Sequence, residues 1–560
     1  SDILEGMGGG DTLIGGSGGN NTASYEHATA LVVASLTNTA LNSGDAAGDS
    51  YANIQNLTGS AYNDTLIGDS GANTLTGGGG NDTLEGMGGA DILDGSGGSN
   101  TASYEHSSAS VLASLADGKG YTGDAAGDIY INIQNLTGSA YDDTLIGNSG
   151  ANIFNGGSGL DTVSYTKAAA GVTASLSSGL VVHAGEAVGD VFIGIENLTG
   201  SDNNDILVGN GGVNVLTGGG GSDILEGMGG GDMLVGGTAG NNTASYEHAS
   251  SLVVASLFNS AFNVGDAAGD SYTNIQNLTG SAFGDRLVGD SNANVLNGGG
   301  GDDILDGGAG TAGDTFIGGG GFDTATYENS TSGVTASLDP TAATGSADGF
   351  GDYFYGIEKL YGSAYGDFLV GDSGDNTLDG QAGNDTLIGL GGTDTLVGGA
   401  GRDTIYANQG NDLALGGADN DTFYVSVLAA NQPNRIDGGS REAVVGDGNV
   451  LVLQDLVNGG SYTMTSLAGV NSRLVNIDTL SIKGDNAATA LTMSAQDVQY
   501  MVDASTASQL NIKADTGDTI TIALAAGETY TATVIDPAHT DYTIYNASHV
   551  QIAQIHWNTA

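Results

Sequence analysis

A nine-residue period governs this chain. From Gly362 the sixth residue of each successive nonapeptide is Asp367, Asn376, Asp385, Asp394, Asp403, Asp412 and Asp421. The eighth is Leu369, Leu378, Leu387, Leu396, Ile405, Ala414 and Phe423. The best-formed copies read like Gly77-Gly78-Gly79-Gly80-Asn81-Asp82-Thr83-Leu84-Glu85. The first six positions are turn-formers, because glycine reaches φ > 0 without strain. The last three predict a short strand with its apolar residue inward and its small neighbours outward. Long helices are excluded, since glycine costs roughly 1 kcal/mol in a helix interior.

A larger repeat surrounds these blocks. Each copy opens with a segment such as Thr22-Ala23-Ser24-Tyr25-Glu26-His27, followed by the alternating run 31–36. Gly44-Asp45-Ala46-Ala47-Gly48-Asp49 comes next, and then Asn56-Leu57-Thr58-Gly59. The tyrosine recurs at Tyr104, Tyr165, Tyr246 and Tyr327. Apolar alternation and Val/Thr/Tyr content predict short β segments here. Residues 1–8 recur at 222–229, so the chain starts inside a repeat, and further sequence upstream of Ser1 is expected.

Composition narrows the class. There are 100 glycines in 560 residues but only 3 prolines, which excludes collagen, and 39% hydrophobic residues argue against disorder. Ten basic residues against 65 acidic ones leave a formal charge of −55. That balance disfavours nucleic acid and anionic membranes as partners, and it calls for a cation to compact the chain. Cysteine is absent, so no disulfide stabilises it. No apolar run approaches the roughly 18 residues of a membrane span.

The nonapeptide resembles the RTX repeat, Gly-Gly-x-Gly-x-Asp-x-(large apolar)-x, which binds calcium in a parallel β-roll. The resemblance covers most of residues 1–424. It implies an all-β fold of parallel β-roll blocks interleaved with short β segments, two nonapeptides per coil, and several Ca²⁺ ions between stacked turns. Calcium takes 6–8 oxygens and accepts carboxylates and backbone carbonyls alike. The sixth-position aspartates are the candidate ligands: Asp11, Asp64, Asp82, Asp91, Asp143, Asp161, Asp205, Asp223, Asp232, Asp285, Asp303, Asp314, Asp323, Asp367, Asp385, Asp394, Asp403, Asp412 and Asp421.

The second nonapeptide of every block carries Asn instead: Asn73, Asn152, Asn214, Asn294 and Asn376. Asn brings no charge, so weaker or empty sites are expected there, with Asp69, Asp290 and Asp372 at position two as partial compensation. The Gly-Asp-Ala-Ala-Gly-Asp segment has copies at Asp124/Asp128, Glu186/Asp190, Asp266/Asp270 and Asp348/Asp352. It reads equally as a cation loop or as a solvated turn. His27, His106 and His248 follow Tyr-Glu, but later copies replace the motif with Thr166-Lys167 and Glu328-Asn329, and no His-Glu-x-x-His zinc helix exists. No catalytic residues are expected.

The expected layout is truncated nonapeptides at 1–20 and five modules at 21–99, 100–159, 160–240, 241–321 and 322–424. Their rolls are expected at 59–94, 138–160, 200–236, 280–321 and 362–424. Residues 425–560 form a mainly β C-terminal domain, with Ser494–Val502 as a short helix. This end resembles that of large RTX adhesins, which carries a type I secretion signal. The resemblance implies a secreted protein of the bacterial cell surface: an adhesin, a biofilm matrix protein or an S-layer protein. Its partners would be calcium ions, the type I secretion machinery, and either a second copy or a cell-surface polysaccharide. The alternative is the calcium-binding tail of a secreted hydrolase whose catalytic domain precedes Ser1.

Overall fold

The structure is a computed structural model. It describes residues 1–340, 347–407, 409–426 and 435–439, and beyond 449 chiefly the strands from Val450–Gln454 to Gln551–Trp557. No α-helix occurs among the described residues.

Each nonapeptide ends in a three-residue strand, as in Thr65–Ile67, Thr74–Thr76, Thr83–Glu85 and Ile92–Asp94. The middle residues, Leu66, Leu75, Leu84 and Leu93, are completely buried. Every strand pairs in parallel with the strand two nonapeptides on: Leu66 opposes Leu84, and Leu75 opposes Leu93. Alternate nonapeptides therefore belong to two different sheets, and one coil spans two repeats. The core is a column of leucines from each sheet, shielded by glycine-rich turns. Gly78, at φ +104°, would place a Cβ 2.1 Å from the Ser60 carbonyl of the preceding coil.

The opening segments lie in the same stacks as the nonapeptides. In the second copy, Thr101–Ser103 continues the stack of Thr83–Glu85 and passes it to Asn135–Thr137. Leu112–Ser114 begins a new stack that runs on through Thr144–Ile146 and Thr162–Ser164. Ile129–Ile131 terminates the stack of Thr74–Thr76 and Ile92–Asp94. This opening thus ends one parallel stack, founds another and carries a third straight through, and the antiparallel strand Lys119–Thr122 joins the ended stack to the new one.

Packing divides the chain into two units, residues 1–249 with 259–277, and residues 250–258 with 278–560. In the first unit the relay repeats at Val33–Ser35, which founds a stack, and Ser50–Ala52, which closes one. It repeats again at Thr173–Ser175 and Val191–Ile193. In the second unit Thr335–Ser337 founds a stack and Tyr353–Tyr355 closes one.

Past Tyr424 the glycine period stops but the stacking does not. Thr422–Ser426, Val450–Gln454, Thr479–Ser481 and Leu510–Lys513 pair in parallel in that order. Two antiparallel pairs follow, Thr519–Ala523 with Thr529–Thr533 and Asp541–Tyr545 with Gln551–Trp557. Of the helix expected at Ser494–Val502, Ser494 is the last residue of the strand Ala490–Ser494, and residues 495–502 lie outside the described residues.

Candidate calcium-binding turns

The sixth-position side chains form hydrogen-bonded ladders along each edge of the roll. Within a block, the Oδ1 of each aspartate accepts the backbone N–H of the sixth-position residue one coil earlier. Asp64 N–H donates to Asp82 at 2.9 Å, Asn73 to Asp91 at 2.7 Å, Asp143 to Asp161 at 2.8 Å and Asp205 to Asp223 at 2.9 Å. In the second unit, Asp285 donates to Asp303 and Asp367 to Asp385, both at 2.7 Å. Asn294 donates to Asp314 at 2.8 Å, Asp394 to Asp412 at 3.1 Å and Asp403 to Asp421 at 3.0 Å. The strand hydrogen bonds begin at the next residue, so the aspartate joins turn to strand.

The second oxygen, Oδ2, sorts these residues. In Asp82, Asp91, Asp161, Asp223, Asp232, Asp303, Asp323, Asp385, Asp394 and Asp403 it is buried with no hydrogen-bond partner, and Asp11 has the same orphaned atom. Leaving a buried polar atom unmet costs about 1–3 kcal/mol, and more for a charge. Asp64, Asp143, Asp205, Asp285 and Asp367 differ. Each starts a block, and its Oδ2 accepts the backbone N–H of the serine four residues before it: Ser60, Ser139, Ser201, Ser281 or Ser363. The serine hydroxyl donates to the same carboxylate. These five carboxylates are satisfied by the protein itself.

The orphaned oxygens face main-chain carbonyls. A Cβ on Gly380 would lie 2.3 Å from Asp385 Oδ2 and 2.7 Å from the Gly398 carbonyl of the next coil. On Gly398 it would lie 2.3 Å from Asp403 Oδ2 and 2.6 Å from the Gly416 carbonyl. Position one must be glycine because two oxygens converge on the space a side chain would fill. Burial accordingly pushes Asp82, Asp161, Asp223 and Asp403 up to about 6. Asp232, Asp303, Asp385 and Asp394 rise to about 7, and Asp314 and Asp421 to about 8. Neighbouring carboxylates add to the rise in most of these residues.

This donor set fits a hard cation. Among the described residues, no group of three or more His, Cys, Asp or Glu side chains is placed to hold a metal. Coordination would therefore combine one or two carboxylates with main-chain oxygens, a mixture calcium accepts and zinc does not.

The Asn copies close their turns differently. Asn73 Oδ1 accepts Asp69 N–H at 2.8 Å, and its amide donates to the Gln55 carbonyl at 2.8 Å. Asn152 and Asn214 do the same. Asp69, Asp290 and Asp372 brace their own turns, each accepting a backbone N–H two residues on.

The Gly-Asp-Ala-Ala-Gly-Asp segment turns out to be a disguised nonapeptide. Asp91 N–H donates to Asp128 Oδ1 at 2.9 Å, as it would to a sixth-position aspartate, and Tyr130 then fills the eighth position opposite Leu93. Asp49, Asp190, Asp270 and Asp352 accept in the same way from Asp11, Asn152, Asp232 and Asp314. Their Oδ2 atoms are not orphaned. Tyr25, Tyr104, Tyr165, Tyr246 and Tyr327 each donate a hydroxyl to this oxygen, at 2.6–2.9 Å. Sequence reading missed this pairing, although Tyr and Asp recur together in every opening.

The histidines pair with glutamates of the adjoining coil. Nδ1 lies 3.0 Å from Glu5 in His27, 2.9 Å from Glu85 in His106 and 2.8 Å from Glu226 in His248. Each imidazole meets a single carboxylate, which is buried in Glu85 and Glu226.

The chain matches the RTX calcium-binding nonapeptide repeat family at residues 52–84, 67–102, 133–163, 199–234, 279–312, 354–387, 361–396 and 388–423. No curated protein matches it. The matched residues include orphaned carboxylates in each of the five blocks, while Asp11 and Asp323 lie outside them. With its parallel roll and its two-repeat coil, the chain carries RTX calcium-binding nonapeptide repeats between residues 52 and 423.

Proposed function

We propose that this chain is a structural or adhesive component of the bacterial cell exterior, exported by a type I system and folded there by several calcium ions. The ions would be held at the orphaned sixth-position aspartates. The observation that carries this reading is the buried, partnerless Oδ2 that recurs along both edges of the roll. Without a cation these atoms oppose folding, so calcium binding becomes folding free energy. The repeat implies calcium binding and type I secretion. An adhesin, biofilm matrix or S-layer role is favoured by five near-identical openings that relay one stack into the next, a design that lengthens a protein and adds no pocket chemistry. A second copy or a cell-surface polysaccharide is the partner such a surface would meet.

The test is assembly. Calcium added to the purified chain should bring ordered self-association, seen by light scattering and electron microscopy, or retention on cells stripped of their surface layer. A calcium-loaded chain that stays monomeric and binds no cell surface would refute the structural role.

A further inference from the structure

We propose that the opening segments carry calcium sites of their own, in which Asp45 and Asp124 supply a second carboxylate to the turns of Asp11 and Asp91. The proposal rests on the calcium reading above and extends it to residues outside the matched repeats, since Asp45 and Asp124 fall in none of the matched segments.

The geometry begins with the disguised nonapeptide. Its first residue is Gly123 and its sixth is Asp128, so Asp124 stands at position two of a turn stacked on residues 86–91. Asp124 belongs to the short 3-10 turn Gly123–Ala125. A Cβ on Gly88, in the middle of the lower turn, would lie 3.9 Å from Asp124 Oδ1, and the equivalent distance from Gly8 to Asp45 Oδ1 is 3.7 Å. The acid therefore sits over the turn whose own carboxylate is orphaned. Asp91 is 0% exposed, and neither its Oδ2 nor that of Asp11 has a partner.

The two acids of the segment have divided their roles. The sixth-position Asp128 is satisfied by Tyr104, which leaves it nothing to offer a cation. Asp124 has no such partner and repels Asp91, contributing to the rise of that carboxylate to about 6. None of these acids takes part in the ion pairs found among the described residues. Two carboxylates set over one glycine turn, with no protein cation between them, are the beginning of a calcium site.

The third opening supplies a control inside the same molecule. Glu186 stands where Asp124 does, but the turn below ends in Asn152, whose amide is satisfied by Asn148 and Gln134. That opening should hold no ion of this kind.

Equilibrium dialysis of the full chain against graded free calcium decides the matter. At a concentration that saturates the wild-type chain, Asp45→Asn combined with Asp124→Asn should bind about two fewer ions, or fill two sites only at about tenfold higher calcium. Glu186→Gln should bind as many as wild type. Asp45→Glu combined with Asp124→Glu keeps both carboxylates and should restore the count, which guards against an asparagine variant that fails to fold. An unchanged count and affinity in the asparagine variant would overturn the proposal. So would an equal loss from Glu186→Gln, or failure of the glutamate variant to rescue. A wild-type chain that binds no calcium would instead bring down the calcium reading itself.

Discussion

The Tyr104 hydroxyl donates to Asp128 Oδ2 at 2.9 Å and so occupies the oxygen that is left bare in Asp91, one coil away. The same backbone ladder runs through both aspartates, but a tyrosine closes the last rung. A stack can therefore end inside the protein without a cation on its terminal sixth-position aspartate.

Tyr104→Phe should leave that oxygen buried and unmet. The expected loss is about 1–3 kcal/mol, felt where Ile129–Ile131 closes its stack and Leu112–Ser114 founds the next. Hydrogen exchange should rise across 112–131 in saturating calcium and stay unchanged across 206–226. Uniform protection throughout would show that the hydroxyl contributes nothing.

Two aspartates of one block should respond in opposite ways. Asp394 carries an orphaned oxygen, whereas Asp367 is capped by Ser363. Asp394→Ala should lower the number of calcium ions bound while the stacks of residues 1–249 still fold, because repeat proteins are stabilised by nearest neighbours. Asp367→Ala should leave the ion count unchanged and lower the melting temperature in saturating calcium, because the Val334 and Ser363 N–H groups lose their acceptor. Isothermal titration and thermal melts of the pair separate the two roles. Equal losses of calcium from both variants would erase the distinction.

Much of this was legible in the residues. An acid at position six and an apolar residue at position eight placed the strands such as Thr386–Ile388 and their buried Leu387. The sorting of the aspartates was not read, although Ser60, Ser139, Ser201, Ser281 and Ser363 mark it four residues ahead of each capped carboxylate. The relay of stacks was harder. It depends on partners such as Leu112 and Thr144, 32 residues apart, or Ile92 and Ile129, 37 apart. No local pattern specifies contacts at that separation. The disguised nonapeptide escaped because Ala125 and Ala126 stand at its third and fourth positions, and because its eighth residue is a tyrosine that also serves as a hydrogen-bond partner.

Stripping calcium should unfold the roll. Eleven buried sixth-position carboxylate oxygens without partners among the described residues, no disulfide and a formal charge of −55 oppose the native state. Extracellular calcium modules bind at about 10⁻⁴–10⁻³ M, so β signal in circular dichroism should appear cooperatively over that range. Magnesium should substitute poorly, because it demands tight octahedral geometry and keeps its waters. A calcium-stripped chain with its full β spectrum and thermal transition at neutral pH would contradict the account.

Acid should partly replace the ion. Burial holds Asp82 and Asp403 up to about 6, and Asp303, Asp385 and Asp394 up to about 7, against 3.8 for an ordinary aspartate. A folded pKa above the unfolded one means that the native state binds more protons. The stability this contributes is therefore complete below pH 3.8 and is lost as pH rises through 6 and 7. The calcium-stripped chain should be more ordered at about pH 5 than at about pH 8. Calcium reverses the order, because it needs the ionised carboxylate: its apparent affinity should fall as pH drops through the same window. Circular dichroism of metal-free protein across pH, set beside calcium titrations at the two ends, tests both signs at once. A stripped chain that gains β structure as pH rises would show that the turn carboxylates are not what opposes folding.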